Sequence, residues 1–493
     1  MPISPKTEKF IASSEAPALL KKLDKYLKDN PLNVSDVRDD KYQYVDLVQQ
    51  GGGIWGIALL GYTYILEKAG IRFFSVAGTS AGAINSMLLA CIGNKEDEKS
   101  EVIVDELLNK ELFDLVDGQP DQFGFTRTVK GILRRLVIQK SYALTMVSKF
   151  HWAIVLLLTF CFSAFIVPWL AAMQGPGIKA ISLIAGLSLI IAIFFVAMVY
   201  IRFKKFVHYG NGLNKGDNFH HWIKNIISSQ SIEGDATKRK IETLDDLKTH
   251  FNRIPPNLKV VNRTNISIPT TPMIVIVASD ITSERKIEFP RMWDLYWKNT
   301  KDIHPADFVR ASMSIPFFFS AYTLTGINKK SSPAIWKSQL NWKRDTIPDR
   351  AQFVDGGALS NFPISVFANP NYPEPRMPTF GIRLISEKAD STKEHHNTLA
   401  GYAGSIVGTM RANYDRDFIN KNRAFELGVC DILIEEISWL NFFMTDKQKL
   451  ELFNIGARHA FEFLQEFKWN SYKKERLLDA QRQKQPDLNP NNW

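Results

Sequence analysis

Apolar residues in this chain fall into two kinds of run. The short ones, bounded by turn residues, are Tyr44–Val48, Ile71–Ala77, Pro272–Ala278 and Phe380–Ile385, each apolar almost throughout. A strand buried on both faces has no polar alternation, so these runs predict strands of a mostly parallel sheet with helices on either side. The expected fold class is therefore α/β, a three-layer α/β/α domain. The long runs differ. Trp152–Met173 carries no charged residue, and Ile178–Ile201 carries only Lys179, at its edge. Each would span roughly 33 to 36 Å as a helix, enough to cross a hydrocarbon core with some tilt. They predict a two-helix transmembrane hairpin, turned by Gln174-Gly175-Pro176-Gly177, that interrupts the α/β domain. A pair of buried core helices is the competing reading, but soluble helices seldom run so long without a polar face.

Weaker patterns fill the flanks. Ala16–Lys28 has helical spacing and predicts a packed surface helix, with an interfacial helix as the alternative. Gly131–Val147 alternates apolar residues with Arg and Lys and would lie along lipid head groups. Residues 320–350 show no clear period and predict a surface excursion that could serve as a lid. The polar chain from Lys473 onward predicts a frayed tail. The expected order is a helical lead (1–42), a first catalytic part (43–125), basic segments with the hairpin (126–216), a second catalytic part (217–470) and a tail (471–493).

Charge sharpens the hairpin reading. The 493 residues carry a formal net charge of +10, yet Gln122 to Gly216 holds 11 Lys or Arg and no Asp or Glu, so the rest sums to −1. The basic excess is local: Arg127, Lys130, Arg134, Arg135, Lys140 and Lys149 precede the first run, and Arg202, Lys204 and Lys205 follow the second. The positive-inside rule then predicts an integral membrane protein with its catalytic domain on the cytoplasmic side. Anionic lipid head groups near these basic segments are the expected partner, at about 1 kcal/mol per residue. No basic patch interleaved with aromatics suggests nucleic acid. Ala180, Ala185, Gly186, Ser188 and Ala192 permit helix pairing, hence an oligomer. Cys91, Cys161 and Cys430 are too scattered for a disulfide framework or a zinc site, and there is no Asp-rich calcium loop, so no metal or cofactor is expected. Residues 1–10 are polar, without a signal-peptide apolar region.

The chemistry sits at the ends of the short runs. Gly78-Thr79-Ser80-Ala81-Gly82 follows the Ile71–Ala77 strand and opens a small-residue helix. A serine that must present its hydroxyl needs such a sharp strand-to-helix turn, and glycine-sized neighbours leave room for it. One strand earlier, Gly51-Gly52-Gly53 precedes another helix, where bare N–H groups and the helix dipole suit an oxyanion. A tight turn for helix–strand packing explains the same glycines. Neither a P-loop, which needs Lys-Ser/Thr, nor a dinucleotide fingerprint is specified. Asp355, in Phe353-Val354-Asp355-Gly356-Gly357-Ala358, is the candidate base, with a plain Asp-Gly turn as the alternative.

Taken in order, these three elements resemble the patatin-like phospholipase family, over roughly residues 43–125 and 270–390. Ala278-Ser279-Asp280 and Arg310-Ala311-Ser312-Met313-Ser314-Ile315-Pro316 are similar to the family as well. Trp55 departs from it, standing where members commonly carry Arg or Lys. The resemblance implies a Ser80–Asp355 dyad, an oxyanion hole at Gly51, Gly52 and Gly53, and a nucleophile elbow braced by Gly78 and Gly82. It also implies hydrolysis of acyl esters in membrane phospholipids, of phospholipase A or lysophospholipase type. Free aspartate, at a pKa of about 3.9, is a weak base for a serine, so the site must help it. Two alternatives stay open: a membrane-bound lipid-binding scaffold with an idle dyad, and another serine esterase or acyltransferase such as a triacylglycerol lipase. An α/β-hydrolase triad would draw on His395, His396 or His459, and only two strand-like segments precede Ser80, too few for that fold's elbow. His220, His221 and His304 carry no specific signal.

Overall fold

The computed structural model describes residues 3–116, 210–232, 237–261, 271–327, 332–369, 374–385, 418–435 and 441–484, with Ile437, Trp439 and four helical positions, Ile190, Ile193, Ala197 and Ile201. Contacts divide the chain into two units, Met1–Asp117 with Gly216–Trp493, and Gly118–Lys215. The first carries a ten-stranded sheet. Its strands are β1 (Val37–Arg38), β2 (Gln43–Gln49), β3 (Ile71–Thr79), β4 (Lys259–Val260), β5 (Ile274–Asp280), β6 (Arg285–Phe289), β7 (Tyr322–Thr325), β8 (Arg350–Asp355), β9 (Thr379–Ile385) and β10 (Val429–Leu433). The order is β10-β9-β2-β3-β5-β8-β7, with β6 also paired to β5, the short β1 paired to β2 and the short β4 to β1.

The four ladders from β10 to β5 are parallel, whereas β6, β7 and β8 join antiparallel. The sheet is thus mixed, which corrects the expectation of a mostly parallel one. The reason lies in what an apolar run can reveal. Central strands such as β3 and β5 are buried at every position, but β8 alternates buried with exposed or half-exposed residues and β7 half-buried with exposed ones, as antiparallel strands near an edge can.

Side-chain alternation splits the core across the sheet. Val45 and Leu47 of β2 and Ile274 and Ile276 of β5 join the larger cluster on one face. Helices α1 (Pro5–Ser13), α2 (Ala16–Asp29), α3 (Gly56–Lys68), α4 (Ala81–Cys91) and α5 (Ser100–Leu108) contribute to it. So do α6 (Asp217–Ser229), α7 (Leu244–Phe251), α8 (Pro305–Ser312), α9 (Ser332–Leu340) and α10 (Asp446–Glu466). On the other face Val48, Ala77, Val275 and Val277 pack under Phe362, Ile364, Ile419 and Phe425. Each such side chain, fully buried, contributes about 1.5 to 3 kcal/mol.

The N-terminal flank packs as its spacing predicts, and the later flanks are more ordered than their sequences predict. Ala16, Leu19 and Leu23 bury one stripe of α2. The 320–350 stretch is no simple excursion, since it holds β7 and α9, whose buried Trp336 donates its indole N–H to Leu295 O at 2.9 Å. The described part of the expected tail lies in a helix, α11 (Trp469–Lys484). Its residues are good helix formers, and Trp469 anchors it by donating to Asp36 Oδ1 at 2.7 Å while Lys473 reaches Asp36 Oδ2 at 3.1 Å.

The membrane localisation requires correction. Among the described residues no helix is long and apolar enough to cross a membrane, which removes the support for an integral membrane protein with a cytoplasmic-side catalytic domain. Apart from the four helical positions named above, the runs at 152–173 and 178–201 lie outside the described residues, as do the basic segments beside them. Hydropathy reports what a segment gains by leaving water, and a protein interior supplies that gain as well as lipid does. The buried, largely apolar α3 and α4 lie inside the protein core and are only 13 and 11 residues long.

Candidate active site

Between β3 and α4 a single residue, Ser80, makes the turn. Its backbone lies at φ 53° and ψ −118°, a region L-residues avoid at a cost of about 1 to 3 kcal/mol. The surroundings hold it there. A Cβ at Gly78 would lie 2.2 Å from Gly82 O, and one at Gly82 would lie 2.2 Å from Gln49 O, so strand, turn and helix approach as closely as backbone allows. Ser80 O accepts from the N–H groups of Ala83 (2.9 Å) and Ile84 (3.1 Å), which starts the helix. Its own N–H donates to Ser312 Oγ at 2.9 Å, and its buried hydroxyl donates to Met313 Sδ at 3.2 Å.

The glycine loop lies beside this turn, with Gly51 against the serine and Gly56 against Ala81. Of the three candidate donors, Gly51 is already engaged: its N–H donates to Asn361 O at 3.1 Å, and Asn361 Nδ2 donates back to Gly51 O at 3.0 Å. This corrects the grouping of Gly51 with the oxyanion donors. Gly51 supplies space, since a Cβ there would lie 3.0 Å from Ser80 Cβ. The N–H groups of Gly52 and Gly53, and those of Ala81 and Gly82 at the start of α4, make no hydrogen bond among the described residues. They are the orphan donors a loop and a helix N-terminus provide. Trp55 donates its indole N–H to Ile437 O at 2.8 Å and pins the loop.

Asp355 reaches the same place through the sheet. Thr79 pairs with Val277 and Ala278 with Asp355, so the ends of β3 and β8 are level across β5. Asp355 is buried; its N–H donates to Ser314 O at 2.8 Å and its Oδ1 accepts from Gly357 N–H at 2.7 Å. The turn after it is tied to the serine strand, because Thr79 Oγ1 donates to Ser360 O at 3.1 Å and Ser279 Oγ to Gly356 O at 3.3 Å. No hydrogen bond joins Ser80 to Asp355.

Several supporting residues carried no role in the sequence reading. Asn361, six positions after Asp355, clamps the glycine loop. Ser312, Met313 and Ser314 hold the Ser80 N–H, the Ser80 hydroxyl and the Asp355 N–H, and the buried Arg310 steadies that segment through Ser314 Oγ (2.6 Å) and Ser320 O (2.9 Å). Their motif was visible; what each atom touches was not. Asp280, by contrast, is structural, accepting from Thr282 N–H, Ser283 Oγ and Tyr296 OH at 2.7 to 2.9 Å. An apolar cavity of about 60 Å³ opens beside Gly53 and Ala81 and is lined by Ile57, Leu60, Ile84, Leu107 and Met313 among others.

The described histidines lie elsewhere. His304 caps α8 with its Nδ1, and burial pushes its pKa down to about 4. His459 Nδ1 bonds Ile455 O within its own helix, and His221 Nδ1 bonds Asp217 O. His220 lies 3.0 Å from Asp307. His395 and His396 are outside the described residues. No group of three or more His, Cys, Asp or Glu among the described residues could hold a metal ion.

The family model for patatin-like phospholipases matches residues 47–368. The uncharacterized protein YqhO of Bacillus subtilis (strain 168) is 23% identical over 426 residues, which cover 86% of this chain and 99% of that protein. Among solved structures, VipD from Legionella pneumophila is similar with a TM-score of 0.35 at 14% identity, over 88% of this chain and 70% of that one. The ExoU–SpcU complex from the type III secretion system of Pseudomonas aeruginosa gives 0.29 at 14%, over 90% and 56%.

Proposed function

This chain belongs to the patatin-like phospholipase family, and from that membership we propose that it hydrolyses acyl esters of phospholipids with Ser80 as nucleophile and Asp355 as base. The observation that carries the reading is the strained Ser80 turn, flanked by unengaged N–H groups where an apolar cavity begins. The Ser80 hydroxyl leaves Met313 Sδ, passes its proton to the Asp355 carboxylate and bonds to the ester carbonyl carbon. The N–H groups of Gly52, Gly53 and Ala81 meet the oxyanion. The carboxyl then returns its proton to the leaving alcohol, and water releases the fatty acid from the acyl-serine. The acyl chain enters the apolar cavity. At about 60 Å³ that space is far below the roughly 300 Å³ of pockets that hold drug-sized ligands, so side chains such as Met313 must shift for a long chain.

Lipid mass spectrometry tests this. Purified wild type and Ser80→Ala are incubated with mixed phospholipid vesicles; fatty acid and lysolipid should form with wild type and fall by at least about 10⁴-fold in the variant. Equal release by a folded Ser80→Ala protein would overturn the assignment.

A further inference from the structure

A second cavity, of about 230 Å³, lies at the other end of α4, lined by Gly93, Asn94, Lys95, Glu96, Lys99, His250 and Arg253 among others. The helix that starts at Ser80 ends at Cys91, about 16 Å away at 1.5 Å per residue, so this cavity is separate from the apolar one. Two lysines in its wall are buried, which is uncommon, and burial pulls both below the ordinary lysine range, Lys95 well below it and Lys99 to about 8, so Lys99 stays charged at pH 6.5. Lys99 Nζ donates to Leu89 O at 2.6 Å and Lys95 Nζ to Phe251 O, a use of one donor out of three on each ammonium. Arg253 adds a guanidinium beside Lys99; Glu96 is the carboxylate in the lining, and Glu67 and Asp97 also act on Lys99.

His250 specifies the occupant further. The ring is buried, and Nε2 lies 3.0 Å from Gly93 O. A carbonyl can only accept, so Nε2 carries the proton and Nδ1 is left as an acceptor. That Nδ1 is buried and has no partner. Burial, then the nearby Lys99, Lys95 and Arg253, push the ring's pKa down to about 4, so it is neutral near pH 7. An occupant that offers negative oxygens to the cations and one hydroxyl to Nδ1 meets both needs at once. Carboxylate and sulfate are fully ionised near neutral pH and have no such proton. A phosphomonoester, with its second pKa at about 6, retains a P–OH in a useful fraction of molecules, and free hydrogen phosphate keeps one across this pH range. The volume is below the roughly 300 Å³ at which drug-sized pockets begin, which suits a head group rather than a whole lipid.

We propose that this cavity binds a hydrogen-phosphate group, either free or carried by a phosphomonoester. The test is calorimetric titration of the full chain at pH 6.5 with sodium phosphate and, at matched ionic strength, sodium sulfate. Phosphate should bind at least about ten-fold more tightly, and Lys95→Met and Arg253→Gln should each weaken it about five-fold or more. Lys95→Met uncaps Phe251 O, so its fold is checked by circular dichroism; Arg253 is exposed, and its variant serves if the other does not fold. Glycerol 3-phosphate and phosphatidate vesicles are the remaining arms. Binding of the first alone, lost in Arg253→Gln, assigns a soluble ligand; vesicle binding lost in the same variant assigns a lipid head group. Equal affinity for phosphate and sulfate, or binding that both folded variants retain, overturns the site.

Discussion

The two ends of α4 are built from opposite chemistries. At its start, around Ser80, backbone N–H groups face a space with no lysine or arginine in its lining, and glycines bring strand, loop and helix together. At its end, Lys99 bonds a last-turn carbonyl, Leu89 O, and Lys95 and His250 bond Phe251 O and Gly93 O. The contrast follows from the helix itself. Its first turn leaves donors and a partial positive charge, and its last turn leaves acceptors and a partial negative charge. An oxyanion can be met by the first turn unaided. The last turn attracts cations, and cations buried together create a place for an anion.

Changes at the first end should alter turnover and leave phosphate binding alone. Asp355→Asn removes the proposed base and should lower phospholipid hydrolysis by about 10³ to 10⁴-fold, read in the vesicle assay with circular dichroism unchanged. Asn361→Ala frees Gly51 from its side-chain clamp; with the loop donors less well placed, a loss of about 10²-fold in kcat is expected, with KM little changed. Wild-type kinetics in Asn361→Ala would show that the loop is held without it.

The far end should answer to acid instead. The folded His250 ring, with its pKa at about 4 against an ordinary 6.5, stays neutral where the unfolded ring is protonated. Its contribution is full above about pH 6.5 and is lost as pH falls toward 4, at most about 3 kcal/mol. Asp46, pushed up to about 7 by burial, works in the opposite direction, so the effect is read as a difference. Denaturant melts from pH 7 to 4.5 should show His250→Gln losing less stability than wild type. Parallel losses would mean that the ring is protonated in the fold.

Much of the first end was legible in the sequence and little of the second. Strands β2, β3, β5 and β9 stood out as apolar runs because they are buried on both faces. The Ser80 turn and the Asp355 segment stood out because glycine at fixed spacing signals close backbone approach. The roles of Asn361 and Met313 did not, since a clamp across about 310 residues depends on the sheet order. Lys95, Lys99 and His250 stand in no motif, and their burial, to which the packing of α7 against α4 contributes, is visible only in the fold. The polar end of the chain read as a tail for the same reason, its partner Asp36 lying more than 400 residues earlier.

Covalent labelling addresses Ser80 most directly. A fluorophosphonate reacts with a serine hydroxyl only where a base and an oxyanion site activate it. After labelling of the folded wild type, peptide mass mapping should place one adduct on Ser80, and Asp355→Asn should largely abolish it. A protein that stays unlabelled at Ser80 while correctly folded, or labels equally well in Asp355→Asn, would contradict the Ser80–Asp355 pairing.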